Sequence, residues 1–290
     1  MKELAFTVEG ADTLLPFLLA HVKGQSRNNI KSLLSRGQVL VEGRAQRQFD
    51  LPLTPGMQVT VVPQAAGKGG ELPFPILYED GELLVVDKPA GLLSMANDKE
   101  KNRTAYHMVT DYVKSADPRN RVFIVHRLDR DTSGVLVFAK NEALKHALQE
   151  NWDKLVEKRG YTAVVEGAPP EDQGTVRSFL VETATHLVYS GRPGKNAKEA
   201  VTHYQVAARG RGYTLVDVTI DTGRKNQIRV HMQDLGCPVA GDKQYGAKTD
   251  PFGRLGLHAG ELAFTHPNTK KRMAFTAPLP GGFKRMFSGK

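Results

Sequence analysis

The sequence has almost no cysteine. Cys237 is the only one among 290 residues, so an intrachain disulfide and a zinc site built from several cysteines are both excluded. No apolar run approaches the length of a membrane span, and the N-terminus has no apolar core long enough for a signal peptide. The glycine patterns that bind nucleoside triphosphates or dinucleotides are also missing. We therefore expect a cytoplasmic protein that uses neither metal nor cofactor.

Acidic residues are outnumbered by basic ones. The chain carries 40 Lys and Arg against 31 Asp and Glu, a net charge of +9 with His neutral. Such an excess favours a polyanionic partner, nucleic acid before an anionic membrane surface. Hydrophobic residues make up 40% and charged residues 24% of the chain, which is typical of a globular protein.

The densest group of charged side chains lies in residues 126–133, directly before an apolar segment at residues 135–139. The apolar segment predicts a buried strand, and a rigid strand entered from charged residues can hold functional groups at its end. Asp129 stands between Arg127 and Arg130 in this group. A surface turn before a core strand is the alternative interpretation.

A second basic cluster surrounds Arg229, and it suggests a partner for Asp129. We expect Arg127, Arg130 and Arg229 to lower the pKa of Asp129, since nearby opposite charge favours the ionised carboxylate. An ionised carboxylate acts as a nucleophile or a base. The chemistry that this favours is attack on an electron-poor carbon without a metal.

Several segments resemble the motifs of the RluA-type pseudouridine synthases. They follow the family's order between residues 88 and 267, and they are Lys88-Pro-Ala-Gly91, His126-Arg-Leu-Asp129 continuing to Lys140, Tyr161 after a helix, Gly223-Arg-Lys-Asn-Gln-Ile-Arg-Val-His231, Leu257-His-Ala259 and His266-Pro267. The resemblance implies an isomerase that converts uridine in RNA to pseudouridine. Such an enzyme breaks the glycosidic bond, rotates the base and rejoins it through carbon, after flipping the nucleotide out.

The resemblance also implies catalytic roles. Asp129 matches the nucleophile, which attacks either the anomeric carbon of the ribose or carbon 6 of uracil. Tyr161 matches a tyrosine that packs on the target base, with proton abstraction as a further role. Arg229 matches the basic residue that pairs with the aspartate.

Three further residues are predicted to bind the substrate. Ile228 matches an apolar residue that lines the uracil pocket, and Arg127 matches one that holds the flipped nucleotide. His126 is included with them, although a structural, hydrogen-bonded histidine is the alternative.

Two segments depart from the family. Lys225-Asn226 stands where Thr-His is frequent, and residues 92–95 stand where many members have His-Pro. Both places flank the family's substrate groove.

The N-terminal part resembles the small alpha-L RNA-binding domain first seen in a small-subunit ribosomal protein. The resemblance rests on Ser26-Arg27, Leu33-Leu34 and Gly37-Gln-Val-Leu-Val41-Glu-Gly43. It implies that Arg27, Lys31 and Arg36 contact RNA phosphates, with a solvated helix face as the alternative. Residues 64–72 are small, Gly-rich and aperiodic, which indicates a linker. We therefore predict an RNA-binding domain at 1–63 and a catalytic domain at 73–290.

Together, the resemblance and the element pattern imply an α+β fold. We expect a mixed, mostly antiparallel sheet with flanking helices in the catalytic domain, and a small α/β domain before it. The predicted partner is RNA, with no membrane, and the protein is expected to act as a monomer. Large-subunit ribosomal RNA is favoured as substrate because an RNA-binding domain is appended. Transfer RNA and a non-catalytic ribosome assembly factor are the alternatives.

Overall fold

The structure is a computed structural model that describes residues 3–35, 37–62, 71–98 and 100–288. Contacts divide the chain into two compact units, residues 1–69 and 70–290. Residues 64–70 of the predicted linker lie outside the described residues, and so does Arg36. No helix in the described part of the chain is long and apolar enough to cross a membrane.

The small unit combines two helices with short strands. Its elements are β1 (Leu4–Thr7), β2 (Asp12–Thr13), α1 (Leu14–His21), α2 (Arg27–Ser35), β3 (Val39–Val41), β4 (Arg44–Ala45), β5 (Pro52–Leu53) and β6 (Gln58–Val61). The main sheet has the order β1-β6-β3-β4, and β2 pairs with β5. Ser26 precedes α2, and its Oγ accepts the backbone N–H of Asn29 at 3.2 Å, as expected of an N-cap. Ile30 and Leu34 of α2 are buried in the core of this unit.

The large unit is built on one long sheet. Its elements are β7 (Ile76–Glu79), β8 (Leu83–Lys88), α3 (Ala105–Ala116), β9 (Phe123–Ile124), β10 (Ser133–Ala139), α4 (Glu142–Glu150), α5 (Trp152–Leu155), β11 (Val156–Glu166), β12 (Gln173–Glu182), β13 (Val188–Gly191), β14 (Lys198–Gly210), β15 (Tyr213–Ile220), α6 (Gln227–Asp234), a 3₁₀ turn (Lys243–Tyr245), β16 (Leu257–Thr265), β17 (Arg272–Thr276) and α7 (Gly281–Phe287). The strand order is β13-β12-β14-β15-β11-β16-β10-β8-β7, with β17 on β16 and β9 on β10. Among the strands named here, every pairing is antiparallel except that of β10 with β16. The predicted mixed, mostly antiparallel sheet is confirmed.

Strand β10 is the buried strand expected at residues 135–139, and all of its residues are buried. It begins at Ser133, and Gly134 pairs with Ala259 of β16. Gly134 has a φ of 119°, and a Cβ there would clash with the backbone carbonyl of Ala259. Only glycine fits this crossing point, where the charged loop enters the sheet.

One prediction about the elements is wrong. The pattern from Asn141 to Lys158 predicts a single helix, but α4 ends at Glu150, α5 ends at Leu155 and β11 begins at Val156. The start of the helix is correct, since the Asn141 side chain accepts the N–H of Leu144 at 2.7 Å. Pairing of β11 with β16 overrides the helical pattern over its last residues.

Candidate active site

A pocket with a cavity volume of about 390 Å³ lies where several segments of the large unit meet. It collects five of the six residues predicted for catalysis and substrate binding: Arg127, Asp129, Tyr161, Ile228 and Arg229. They come from the loop before β10, from β11 and from α6. The sheet therefore brings together residues that are a hundred positions apart in the chain.

Asp129 sits in a loop that is fixed on both sides. The Ser94 hydroxyl donates to the Leu128 carbonyl at 2.7 Å and accepts the Leu128 N–H at 3.1 Å. Lys88 is fully buried, and its ammonium donates to the carbonyls of Arg130, Leu92 and Pro89 at 3.0, 2.7 and 2.9 Å. Burial lowers the pKa of Lys88 to about 7. At the end of an apolar strand and before a turn, Lys88 is predicted to contact a phosphate or to be solvated, but the structure buries its ammonium against three carbonyls.

The carboxyl of Asp129 has a pKa above its ordinary value, because its burial outweighs the groups that favour ionisation. Those groups are the charges of Arg229, Arg127 and Lys225 and the backbone N–H of Asn226. The expectation of a lowered pKa is wrong in direction, since the sequence does not reveal the cost of burial. Arg130 contributes little, because it is exposed and pairs with Asp131 at 3.0 Å.

Arg229 is bonded to a different carboxylate from the one expected. Its Nε and Nη2 donate to the two oxygens of Asp242 at 2.6 and 2.7 Å, and its guanidinium lies 4.7 Å from the centre of the Tyr245 ring. The expected pairing with Asp129 is therefore limited to electrostatic attraction within the described structure. Asp242 orients the cation, and the cation acts on Asp129 without a hydrogen bond.

Asn226 links these groups, a role that the sequence did not predict, although Lys225-Asn226 was expected to flank the substrate groove. Its backbone is left-handed, with a φ of 55°, at the position before α6. Its side chain donates to the Tyr245 hydroxyl at 3.0 Å and accepts from Arg229 at 2.8 Å, while its backbone N–H bonds Asp129. The signal available in the sequence was asparagine after a glycine turn, because asparagine tolerates the left-handed region.

Lys225 fastens the β12–β13 hairpin to the pocket. Its ammonium donates to Glu182, which lines the pocket, at 2.6 Å and to the His186 carbonyl at 3.1 Å. Both charged side chains are nearly half exposed, so the pair adds little to stability. Its effect is to set the position of one wall.

Tyr161 presents a protonated phenol to the pocket. Burial raises the pKa of Tyr161 to about 12, so the hydroxyl keeps its proton at neutral pH. The ring packs with Ile228 in a shared apolar cluster. The side chain offers an aromatic face and a hydroxyl, and Ile228 adds an apolar surface beside it.

His126 does not line this pocket, and its contacts fit the structural alternative. Its ring stacks on Trp152 at a centroid distance of 5.2 Å, and its Nε2 accepts the N–H of Val137 at 3.2 Å. Burial lowers the pKa of His126 to about 4, so the imidazole is neutral. Its neighbour Arg127 is exposed and does line the pocket.

The residues predicted to bind RNA in the small unit lie on α2. Arg27 and Lys31 are both exposed, and the Lys31 ammonium lies 5.8 Å from the centre of the Phe49 ring. Phe49 is 54% exposed. An exposed aromatic ring beside a cation suits contact with nucleic acid.

Comparison with known proteins identifies the family of the chain. Residues 82–234 match the family model of RNA pseudouridylate synthases. The uncharacterized RNA pseudouridine synthase YlyB of Bacillus subtilis is 37% identical over 91% of this chain and 89% of its own length. Ribosomal large subunit pseudouridine synthase D of Buchnera aphidicola is 32% identical over 88% of this chain and 87% of its own. The solved human RNA pseudouridylate synthase domain containing 4 superposes with a TM-score of 0.61 at 26% identity, covering 73% of this chain and 90% of that one. The chain therefore belongs to the RluA-type RNA pseudouridine synthases, enzymes that isomerise uridine in RNA to pseudouridine.

Proposed function

We propose that this enzyme modifies uridines of large-subunit ribosomal RNA and that Asp129 is its nucleophile. The similarity to synthases named for the large ribosomal subunit, at 32% and 31% identity over most of their length, supports this substrate. The observation that carries the proposed nucleophile is the position of Asp129. Its carboxyl is the one carboxyl in the pocket that lies beside Tyr161 and Arg229 among the described residues.

The surroundings of Asp129 suit a reaction on a flat, uncharged base. The pocket supplies the aromatic face of Tyr161 and the apolar side chain of Ile228. Burial destabilises the ionised form of Asp129, and the charge of Arg229 offsets part of this cost. A poorly solvated carboxylate of this kind can attack an electron-poor carbon. Tyr161 acts first as a packing surface, because its high pKa disfavours a phenolate at neutral pH.

The small unit contributes affinity in this proposal. Arg27 and Lys31 neutralise RNA phosphates, which position the substrate without reading its sequence. Residues 1–63 then form an RNA-binding domain and residues 73–290 the catalytic domain.

The test measures tritium release from RNA labelled at carbon 5 of uridine. We expect release from a large-subunit ribosomal RNA transcript, a loss of roughly 10⁴-fold or more in Asp129→Asn, and normal release in Asp117→Asn. Asp117 is a matched aspartate control, since its carboxylate pairs with the exposed Arg119 at 2.8 Å and does not line the pocket. Full activity of Asp129→Asn would refute the nucleophile. Release from transfer RNA alone would refute the substrate and leave the reaction standing.

A further inference from the structure

We propose that a second cavity beside the catalytic pocket binds the base of an unpaired nucleotide next to the target uridine. This side pocket has a volume of about 660 Å³. Its walls include four apolar side chains and two arginines: Phe74, Leu92, Leu93, Met108, Arg103 and Arg130. The inference rests on the proposed function, since it concerns the RNA strand that carries the uridine.

A third cavity shares walls with both the side pocket and the catalytic pocket. It has a volume of about 280 Å³, and it shares Ala90 and Gly91 with the side pocket and Arg229 with the catalytic pocket. Arg130 lines the side pocket and Asp129 lines the catalytic pocket, and these two residues are consecutive in the chain. One RNA strand can therefore occupy both cavities with neighbouring nucleotides.

Hydrogen bonds fix the walls of the side pocket relative to the loop of Asp129. Ser94 follows the wall residues Leu92 and Leu93 and hydrogen-bonds both backbone groups of Leu128. Lys88 joins the Leu92 carbonyl to that of Arg130. The wall also pairs with the start of α3, where Ala105 N–H donates to the Leu93 carbonyl at 2.8 Å. A base held against this wall has a fixed position relative to the nucleophile.

The surface of the side pocket fits a nucleobase with its phosphate. Leu93 and Met108 are half-buried, so they offer the apolar face on which a base packs whatever its sequence. Arg103 and Arg130 are exposed at the rim. Arg130 already pairs with Asp131 at 3.0 Å, whereas no ion pair between described residues includes Arg103. Glu100 also lines the side pocket; its carboxylate accepts the backbone N–H groups of Asn102 and Arg103 and attracts the charge of Arg103. The rim is left suited to a phosphate.

The experiment uses the full-length enzyme and RNA fragments containing the modified uridine, once that uridine has been mapped. One abasic nucleotide replaces each neighbouring position in turn, and tritium release gives kcat and KM. We expect one position at which the missing base lowers kcat/KM about tenfold, a typical loss for one stacked base. Other positions change it by less than about twofold.

Two variants and a control connect that position to the side pocket. Leu93→Trp places a larger side chain where the base would pack, so kcat/KM on the intact fragment falls about tenfold and the abasic effect disappears. Arg103→Gln changes an exposed side chain that the fold does not need, and it raises KM about fivefold with kcat unchanged. Arg119→Gln removes a charge from a residue whose side chain is 91% exposed and which does not line the cavity, so it leaves both constants unchanged.

Three results separate the possibilities. An active wild type that tolerates an abasic nucleotide at every position overturns the side pocket and leaves the proposed function intact. An abasic effect that persists in Leu93→Trp, or a KM in Arg103→Gln equal to that of Arg119→Gln, also overturns it. If the wild-type enzyme releases no tritium from any RNA, the proposed function itself is refuted, and the side pocket falls with it.

Discussion

Asn226 gives the sharpest test of how the site is held together. Replacement by glycine keeps the left-handed backbone available and removes both side-chain hydrogen bonds, to Tyr245 and from Arg229. A neutral hydrogen bond contributes about 0.5–1.5 kcal/mol and one to a charged group about 1.5–3 kcal/mol. We expect Asn226→Gly to lower the free energy of unfolding by about 2–4.5 kcal/mol. Asn226→Ala should lower it by about 1 kcal/mol more, because alanine is strained in the left-handed region.

The same substitution acts on the chemistry. A guanidinium of Arg229 that is less firmly held stabilises the ionised Asp129 less, so the already raised pKa of Asp129 moves further up. The acid limb of the kcat/KM profile of Asn226→Gly should then lie at higher pH than that of wild type. The measurements are urea unfolding at pH 7 and tritium release as a function of pH.

A matched control separates the backbone from the side chain. Arg211 has the same φ of 55° in the turn between β14 and β15, and its side chain is exposed. Arg211→Gly should be neutral or stabilising by up to about 1 kcal/mol. If Asn226→Gly behaved like Arg211→Gly in stability and kept the wild-type pH profile, Asn226 would be a backbone position only and the reasoning would fail.

Three other predictions concern separate parts of the molecule. The pKa of Asp129 is raised above its ordinary value of 3.8, so between the two values the folded state binds more protons than the unfolded state. The free energy of unfolding therefore falls as pH rises through that range. In urea unfolding, Asp129→Asn should be more stable than wild type at pH 7, and the difference should vanish at acid pH. Gly134→Ala should lower the free energy of unfolding by at least about 3 kcal/mol, because its Cβ would clash with the Ala259 carbonyl,. Gly212→Ala should lower it by only about 1 kcal/mol, because Gly212 has a φ of 79° but open space around it,. Equal losses would contradict the close contact between Gly134 and Ala259. Replacing Arg27 and Lys31 by glutamine should flatten the log–log salt dependence of RNA binding by about 1.4 in total, and an unchanged slope in a filter-binding assay would exclude them as phosphate contacts.

The sequence predicted the groups of the site better than the bonds between them. Pattern alone located the buried strand, the charged loop before it and the basic cluster at Arg229, and the resemblance added Tyr161. Tyr161 and Arg229 do line one pocket with Asp129. The partner of Arg229 could not be predicted, because Asp242 is a residue of an ordinary polar loop until the fold brings it to α6.

The wrong predictions share a physical cause, which is that burial is a property of the whole fold. The pKa of Asp129 depends on a balance between arginines that can be counted in the sequence and desolvation that cannot. Lys88 looked like a surface lysine and is fully buried on three carbonyls. The predicted end of the helix after Trp152 was wrong for the same reason, because pairing of β11 with a strand more than a hundred residues away ends the helix early.

The parallel pairing of β10 with β16 has a consequence for folding during synthesis on the ribosome. It joins Ser133 to His258, residues 125 positions apart, and it sits directly behind the loop of Asp129. A chain synthesised at about 5–20 residues per second leaves the nucleophile waiting roughly 6–25 s for its supporting strand. The nascent chain therefore cannot close the reactive site until translation is almost complete, and a product truncated before β16 would carry every proposed catalytic residue and remain inactive.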